Sequence, residues 1–200
     1  MSNTTVEVPT PSNEEVSLWL KEWDALEDYT EQEAAINDLF QKTYKANDNI
    51  RNILIKCSVL NDFYSTNIFK VFPVARHIQS IDRIDERLAN GDLQLVNEIA
   101  MNNIAGKDKN FYSFATKFCS HHNQEDYPIY DSYVDEMLRH FRKKDHFAKF
   151  KNEELKDYSR FKEILLEFTK FYDLDCSLKD LDRYLWQAGK KYFPKDYSKM

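Results

Sequence analysis

Lys117 and Asp131 are the two residues whose types and spacing could do chemistry together, in the segment FYSFATKFCSHHNQEDYPIYDSYV at 111–134. A lysine amine becomes a nucleophile when burial lowers its pKa and leaves part of it uncharged. An ionised carboxylate stabilises positive charge that develops on a reacting carbon. The pair therefore fits a reaction in which a carbon centre becomes cationic and is attacked or stabilised from nearby.

Two predicted helices position this pair. Residues 111–120 carry apolar side chains at 111, 114, 115, 118 and 119, which is the spacing of an amphipathic helix, and Lys117 lies off that stripe. Pro128 keeps the residue before it extended. A second helix is predicted to start at Asp131, whose carboxylate can cap the amides of Tyr133 or Val134 and is favoured in its ionised form by the helix dipole.

The composition predicts an all-α fold. The chain has 200 residues with only 3 Gly and 5 Pro, and it shows helical periodicity without an alternating strand pattern. We expect nine or ten helices in one compact, two-lobed domain at 12–200, after a disordered tail at 1–11 that is rich in Thr, Ser, Asn and Pro. No apolar run is long enough to span a bilayer, so we expect a cytoplasmic protein that is not bound to a membrane.

Helix boundaries can be predicted from local signals. Ser12 with Glu15 and Thr30 with Glu33 have capping-box spacing, and Ser177 with Asp180 has a comparable one. Further helices are predicted at 49–60, 68–78, 80–88, 93–104 and 153–171.

Metal and cofactor sites are not suggested by the sequence. Cys57, Cys119 and Cys176 are far apart and have neither CxxC nor zinc-ligand spacing, so we expect buried, reduced thiols. The histidines are scattered apart from His121-His122, and we predict no metal and no cofactor.

The charge distribution is uneven along the chain. Residues 1–138 have a balance of −11 and residues 139–200 a balance of +5, which gives the net charge of −6. The overall acidity argues against nucleic-acid binding, whereas the basic C-terminal third could face phosphates.

Four segments resemble the helix-hairpin-helix DNA glycosylase superfamily, in particular a divergent bacterial group related to the eight-oxoguanine DNA glycosylases. The Lys117 segment (115–118) and the Asp131 segment (127–131) match the lysine helix and the aspartate helix start of that family. Residues 60–68 resemble its interhelical loop facing DNA, and residues 181–190 resemble the closing helix of the divergent group. The resemblance spans roughly residues 45–190, and the Lys117–Asp131 part is its most specific portion.

Two departures from the family pattern affect phosphate binding. Lys107-Asp108-Lys109-Asn110 stands where the glycine-rich hairpin should be, and Lys117 and Asp131 are a few residues closer than usual. Lys107 and Lys109 would then have to bind phosphate as side-chain cations.

The resemblance implies a set of site residues around Lys117 and Asp131. Asp131 would stabilise the oxocarbenium-like sugar, and Lys117 would attack it or position a group. The predicted base-pocket or DNA-wedge residues are Asn61, Tyr64, His121, His122, Tyr130 and Trp186. The predicted phosphate-binding residues are Lys107, Lys109, Arg142, Lys143 and Lys144.

Each assignment has a purely structural alternative. Asp131 could be only a helix cap, and Lys117 could be a solvated lysine. His121 and His122 could be solvated loop residues, and Tyr64, Tyr130 and Trp186 could belong to the core. Residues 142–144 could form a solvated face. The sequence predicts a monomeric DNA glycosylase that acts on double-stranded DNA by flipping out a damaged or modified base, in repair or in defence against modified phage DNA. The alternatives are a non-catalytic nucleic-acid-binding module and a helical protein-interaction module.

Overall fold

The computed structural model describes residues 7–195, and within that range the chain forms ten α-helices and one β-hairpin. The predicted all-α class is therefore confirmed. The helices are α1 Asn13–Asp24, α2 Glu27–Asp38, α3 Ile50–Phe63, α4 Val71–Ser80, α5 Ile84–Ala89, α6 Gln94–Ala100, α7 Tyr112–His122, α8 Ser132–Asp145, α9 Tyr158–Phe171 and α10 Leu178–Tyr192. The strands are β1 Met101–Ile104 and β2 Lys107–Asn110. A π-helical turn, Leu39–Thr43, follows α2, and a 3-10 turn, Asn152–Lys156, precedes α9.

Side-chain caps start several helices as predicted. The Ser12 hydroxyl accepts from the Glu15 amide at the start of α1, and the Ser177 hydroxyl accepts from the Asp180 amide at the start of α10. The Thr30 cap is wrong, because α2 already begins at Glu27. The Thr30 hydroxyl instead donates to backbone carbonyls of the preceding turn, as Thr inside a helix commonly does.

The predicted helix over 93–104 ends at Ala100, and the next residues form a β-hairpin. Met101–Ile104 pairs antiparallel with Lys107–Asn110, and Ala105 and Gly106 between them both have positive φ. Two residues with positive φ give a turn whose twist matches that of the paired strands. The Asn102 side chain donates to the Ile99 carbonyl at 2.8 Å and takes the place of a continuing helical amide.

The predicted helix over 153–171 is split in the structure. Asp157 has extended backbone dihedrals and its side chain accepts from the Arg160 amide, so α9 starts at Tyr158. The residues before it form the 3-10 turn. The periodic apolar residues of this segment are buried as expected, from Tyr158 to Phe168.

Helix α7 lies at the centre of the packing, because nine of its eleven residues are buried. It packs against α6 on one side and α3 on another. The C-terminal helix α10 packs against α1 and α8. Gly189 allows the close approach to α8, since a Cβ at this position would lie 2.8 Å from the Cβ of Tyr133.

Residues 1–11 are predicted to be a disordered tail, and the structure describes only the last five of them. Residues 1–6 lie outside the described residues. For residues 7–11 the prediction is wrong, because Val8 is buried in the core and its carbonyl accepts from Lys144 Nζ at 3.0 Å. Within residues 7–195, none of the helices is long and apolar enough to cross a membrane.

Candidate functional site

Lys117 is buried in the middle of α7. Its side chain is 2% exposed, so the alternative of a solvated lysine is wrong. The Nζ donates to Ser113 Oγ at 2.7 Å, to the Tyr130 carbonyl at 3.2 Å and to the Ser113 carbonyl at 3.4 Å. It also lies 5.2 Å from the centre of the Tyr64 ring. Burial lowers the pKa of Lys117, and the nearby carboxylates of Asp131 and Asp182 oppose this effect.

Asp131 caps α8 beside this lysine. Its backbone is extended and its Oδ1 accepts from the Tyr133 amide at 2.7 Å, as the sequence predicts. The carbonyl of the preceding residue, Tyr130, is the one that binds Lys117 Nζ. Among the described residues Asp131 has no cation within ion-pair distance, although its charge acts on the pKa of Lys117. The Asp131 carboxylate is thus held near the Lys117 amine but does not form a direct ion pair with it.

Asp182 on α10 is a third ionisable group of this site, and no local signal in the sequence points to it. Burial raises the pKa of Asp182 to about 6, while Lys179 and Lys117 act in the opposite direction. Its side chain lies 3.9 Å from Lys179 Nζ. The periodicity of α10 places Asp182 next to the buried positions 181 and 185, but only the packing of α10 brings its charge close enough to act on Lys117.

Glu33 connects this cluster to α2. Its carboxylate pairs with Lys179 and, at 2.7 Å, with Arg183. Burial alone would raise the pKa of Glu33, but the two cations outweigh it and the pKa is lowered. Glu33 therefore holds α10 against α2.

Glu33→Gln is expected to destabilise the fold by about 2 kcal/mol, because two partly buried cations lose their buried carboxylate partner. The pKa of Glu33 is lowered below its ordinary value of 4.5, so this stabilisation is present above about pH 4.5 and is lost as the pH falls through the lowered value. Urea unfolding at pH 7 and at a series of pH values below 4.5 measures it. Glu31→Gln, an exposed position on the same helix, is the matched control and should change stability little. Equal stability of the two variants would contradict this role.

His121 and Tyr64 form a buried hydrogen-bonded pair beside Lys117. His121 Nδ1 lies 2.9 Å from Asn37 Oδ1, which can only accept, so Nδ1 carries the proton and Nε2 accepts from the Tyr64 hydroxyl at 2.9 Å. Burial lowers the pKa of His121 to about 3. The imidazole is neutral and fully engaged, and it holds the Tyr64 ring over the lysine.

His122 has a separate structural environment. Both His121 and His122 belong to α7, so the prediction that they lie in a loop is wrong. His122 Nε2 lies 3.2 Å from the Asn47 amide nitrogen and 3.4 Å from Lys56 Nζ, and its ring packs on Phe40 and Phe118. This ring is engaged with α3 and the segment before it, and it does not contact Lys117.

Asn61 is a loop-holding residue in the structure. Its Oδ1 accepts from Thr66 Oγ1 and the Ile68 amide, both at 2.8 Å, and its Nδ2 donates to the Ile68 carbonyl at 3.2 Å. The side chain predicted as a wedge is thus fully occupied. The segment between α3 and α4 carries Phe69, which is 97% exposed and is not among the predicted site residues.

Tyr130 and Trp186 lie at two edges of the cluster. The Tyr130 hydroxyl donates to Asp135 at 2.9 Å, and its ring packs on Tyr112 and Phe161. Trp186 lies one helical turn after Asp182 but packs against Trp23 and Tyr29. Of the two, Tyr130 touches Lys117, through its carbonyl.

The predicted phosphate-binding residues lie on two separate elements. Lys107 and Lys109 are exposed on β2, and positions two apart share one side of a strand. Lys143 is exposed at the end of α8, whereas Arg142 donates to the Phe150 carbonyl and Asn152. Lys144 binds the N-terminal segment, because its Nζ donates to the Val8 carbonyl and pairs with the Glu7 carboxylate.

Among residues 7–195, no group of three or more His, Cys, Asp or Glu side chains could hold a metal ion. The arrangement instead combines a buried amine, a capping carboxylate and a nearly buried second carboxylate. Such a set has the groups to stabilise a cationic carbon and to hold an amine partly uncharged.

Comparison with known proteins places this chain in a family. An uncharacterized protein of Haemophilus influenzae (strain ATCC 51907 / DSM 11121 / KW20 / Rd) is 50% identical over 146 residues, which is 73% of this chain and 70% of that protein. No solved structure matches the chain. A family model described as HI_0787_N, N-terminal domain, matches residues 15–126, so Glu33, Tyr64 and Lys117 lie inside the matched range and Asp131 and Asp182 after it. Because that match covers more than half of the sequence, the chain belongs to the HI_0787_N family.

Proposed function

We propose that the protein is a DNA glycosylase that flips out a damaged or modified base from double-stranded DNA and cleaves its N-glycosidic bond. The observation that carries the proposal is the placement of Lys117, whose amine is buried, has a lowered pKa and binds the carbonyl directly before Asp131. The protein would act as a cytoplasmic monomer, in repair or in defence against modified phage DNA.

The proposed reaction breaks the bond between C1′ of the sugar and the base nitrogen. The bonding electron pair leaves with the base, which takes up a proton, and positive charge develops at C1′ and the ring oxygen. The Asp131 carboxylate stabilises that charge. Water then adds at C1′ and loses a proton, which balances the one taken up by the base, to give an abasic site. Alternatively the uncharged Lys117 amine forms a bond to C1′, the bond from C1′ to the ring oxygen breaks, and a proton moves from the nitrogen to that oxygen, which gives a protonated Schiff base, while solvent protonates the base. Asp182 provides a nearby carboxylate that can take the ammonium proton of Lys117.

The proposal is tested first by a substrate screen. Duplexes with oxidised, alkylated, deaminated or phage-type modified bases are incubated with the protein, and the abasic product is detected by alkaline strand cleavage. Release of one class of base, lost in Asp131→Asn, supports the proposal. No release from any duplex, with binding intact, contradicts it.

Phe69 is the residue we propose as the wedge that fills the space of the flipped nucleotide. Phe69→Ala is expected to reduce base release from a fully paired duplex about tenfold or more, because the cost of unstacking is a few kcal/mol per step. Release from a single strand should change less, because no pair has to be opened.

The control for Phe69→Ala is Phe171→Ala, a half-exposed phenylalanine on α9. Rates are compared on paired and single-stranded substrates. If Phe69→Ala reduces the rate of base release equally on both substrates, Phe69 is not the wedge and only contacts DNA.

A non-catalytic nucleic-acid-binding module is the second candidate, favoured by the burial of Lys117. Lys117 is 2% exposed and its amine already has three oxygen acceptors, as a structural lysine would. Such a module would bind DNA with a strong salt dependence through Lys107 and Lys109 and would release no base.

A further inference from the structure

A cavity lies at the far end of α8, and Lys117 is not among the residues that line it. Its volume is about 780 Å³, within the range of about 300–1,000 Å³ that is usual for small-molecule sites. Residues 139–143 of its lining lie about 12 to 18 Å along the helix axis from Asp131, at 1.5 Å per residue. The lining residues are Glu136, Arg139, His140, Arg142, Lys143, His146, Ala148, Lys149, Phe150 and Phe193.

The charge of this cavity is positive and largely uncompensated. Arg139 is neutralised by Asp135 and Glu136 at 2.6 and 2.7 Å. Among the described residues, none of Arg142, Lys143 and Lys149 has a carboxylate within ion-pair distance. Cations in the last turn also offset the helix dipole of α8, but Lys149 lies beyond that helix. Three positive charges therefore face one cavity without an anionic partner from the protein.

Two further features indicate a ligand with both a polar and a flat apolar part. His140 Nε2 is buried and has no hydrogen-bond partner among the described residues. Phe193 packs against the His140 ring at 5.4 Å, and Arg142 lies 4.7 Å from the centre of the Phe150 ring. Since buried polar atoms normally have partners, the free imidazole nitrogen marks a position that a ligand atom can satisfy.

We propose that this cavity binds a nucleoside phosphate. The phosphate is held by Arg142, Lys143 and Lys149, and the base packs against the rings of Phe150 and Phe193. His140 Nε2 forms a hydrogen bond to the ligand. The nucleoside phosphate is either a free mononucleotide or one nucleotide of a bound DNA strand, because both present the same groups to the cavity.

Calorimetric titration with 2′-deoxyadenosine 5′-monophosphate, 2′-deoxyadenosine, inorganic phosphate and a short 5′-phosphorylated single strand tests the proposal. The monophosphate should bind at least about tenfold more tightly than phosphate or the nucleoside alone, because both parts contribute. The K143Q/K149Q double variant should weaken binding of the monophosphate about tenfold or more. Phe193→Ala should weaken binding of the monophosphate but not binding of phosphate. Lys45→Gln, an exposed lysine away from the cavity, is the matched control.

Each outcome decides the proposal. If the single strand binds, the mononucleotide does not, and K143Q/K149Q abolishes the strand's binding, the source is DNA and the site stands. If phosphate binds as tightly as the monophosphate, if K143Q/K149Q changes nothing, or if neither nucleotide ligand binds below about 1 mM, the proposal is overturned. Asp131→Asn should leave this binding unchanged, so failure here is separate from failure of the glycosylase proposal.

Discussion

Asp131→Asn is expected to reduce base release by at least about a hundredfold while the fold stays intact. Removing a preorganised charged or polar group that stabilises a charged transition state typically costs this much or more. The asparagine side-chain oxygen can still accept from the Tyr133 amide, and Asn and Asp are nearly equal as caps, so the stability should change by less than about 1 kcal/mol. Single-turnover base release on the best duplex of the screen measures the effect.

The matched control for this variant is Asp157→Asn. Asp157 caps α9 by accepting from the Arg160 amide, so the same substitution removes the same charge from the same type of position. This control should release base at the wild-type rate. If both variants lose activity equally, the loss comes from the helix caps, and Asp131 has no role in the chemistry.

Lys117→Met is expected to abolish covalent trapping of DNA by borohydride, and to reduce base release strongly if the amine is the nucleophile. Methionine keeps most of the side-chain volume but has no amine. For wild type, the rate of adduct formation should rise with pH and level off above the lowered pKa of Lys117, because only the uncharged amine attacks.

Lys56→Met provides the control for burial. Lys56 is also fully buried, its pKa is lowered to about 8, mainly by burial, and its Nζ donates to the Tyr44 carbonyl and Asn47 Oδ1. Both substitutions leave buried acceptors without a donor and should lower the melting temperature, but only Lys117→Met should remove the adduct. A wild-type protein that releases base without any adduct would leave a hydrolase in which Asp131 orients water. An adduct that persists in Lys117→Met would exclude Lys117 as the nucleophile.

Local signals in the sequence were sufficient for most helices. A cap such as Ser12, Asp131 or Ser177 acts on amides two or three residues away, and apolar periodicity describes one helix face, so neither depends on the rest of the chain. The failures also have local causes that compete with periodicity. Asn102 and the Ala105-Gly106 turn end the helix predicted over 93–104 and produce a β-hairpin.

The environment of the candidate site could not be predicted in the same way. Lys117 lies off the apolar stripe of α7, but other elements cover that side of the helix as well, so the lysine is buried. Asp182 is far from Lys117 in sequence and acts on it only because α10 packs against α8, and Glu33 joins the cluster through its ion pairs with Lys179 and Arg183 on α10. Burial and the pKa of these groups depend on such long-range packing.

The sequence by itself determined the all-α class, the cap at Asp131 and the presence of a lysine one helix before it, because these follow from interactions within a few residues. The tertiary structure alone decided that Lys117 is buried, that His121 and Asn61 are engaged internally, that Phe69 is exposed, and that Asp182 joins the cluster. Those properties depend on which helix faces meet, and this is set by the packing of the whole core rather than by any single segment.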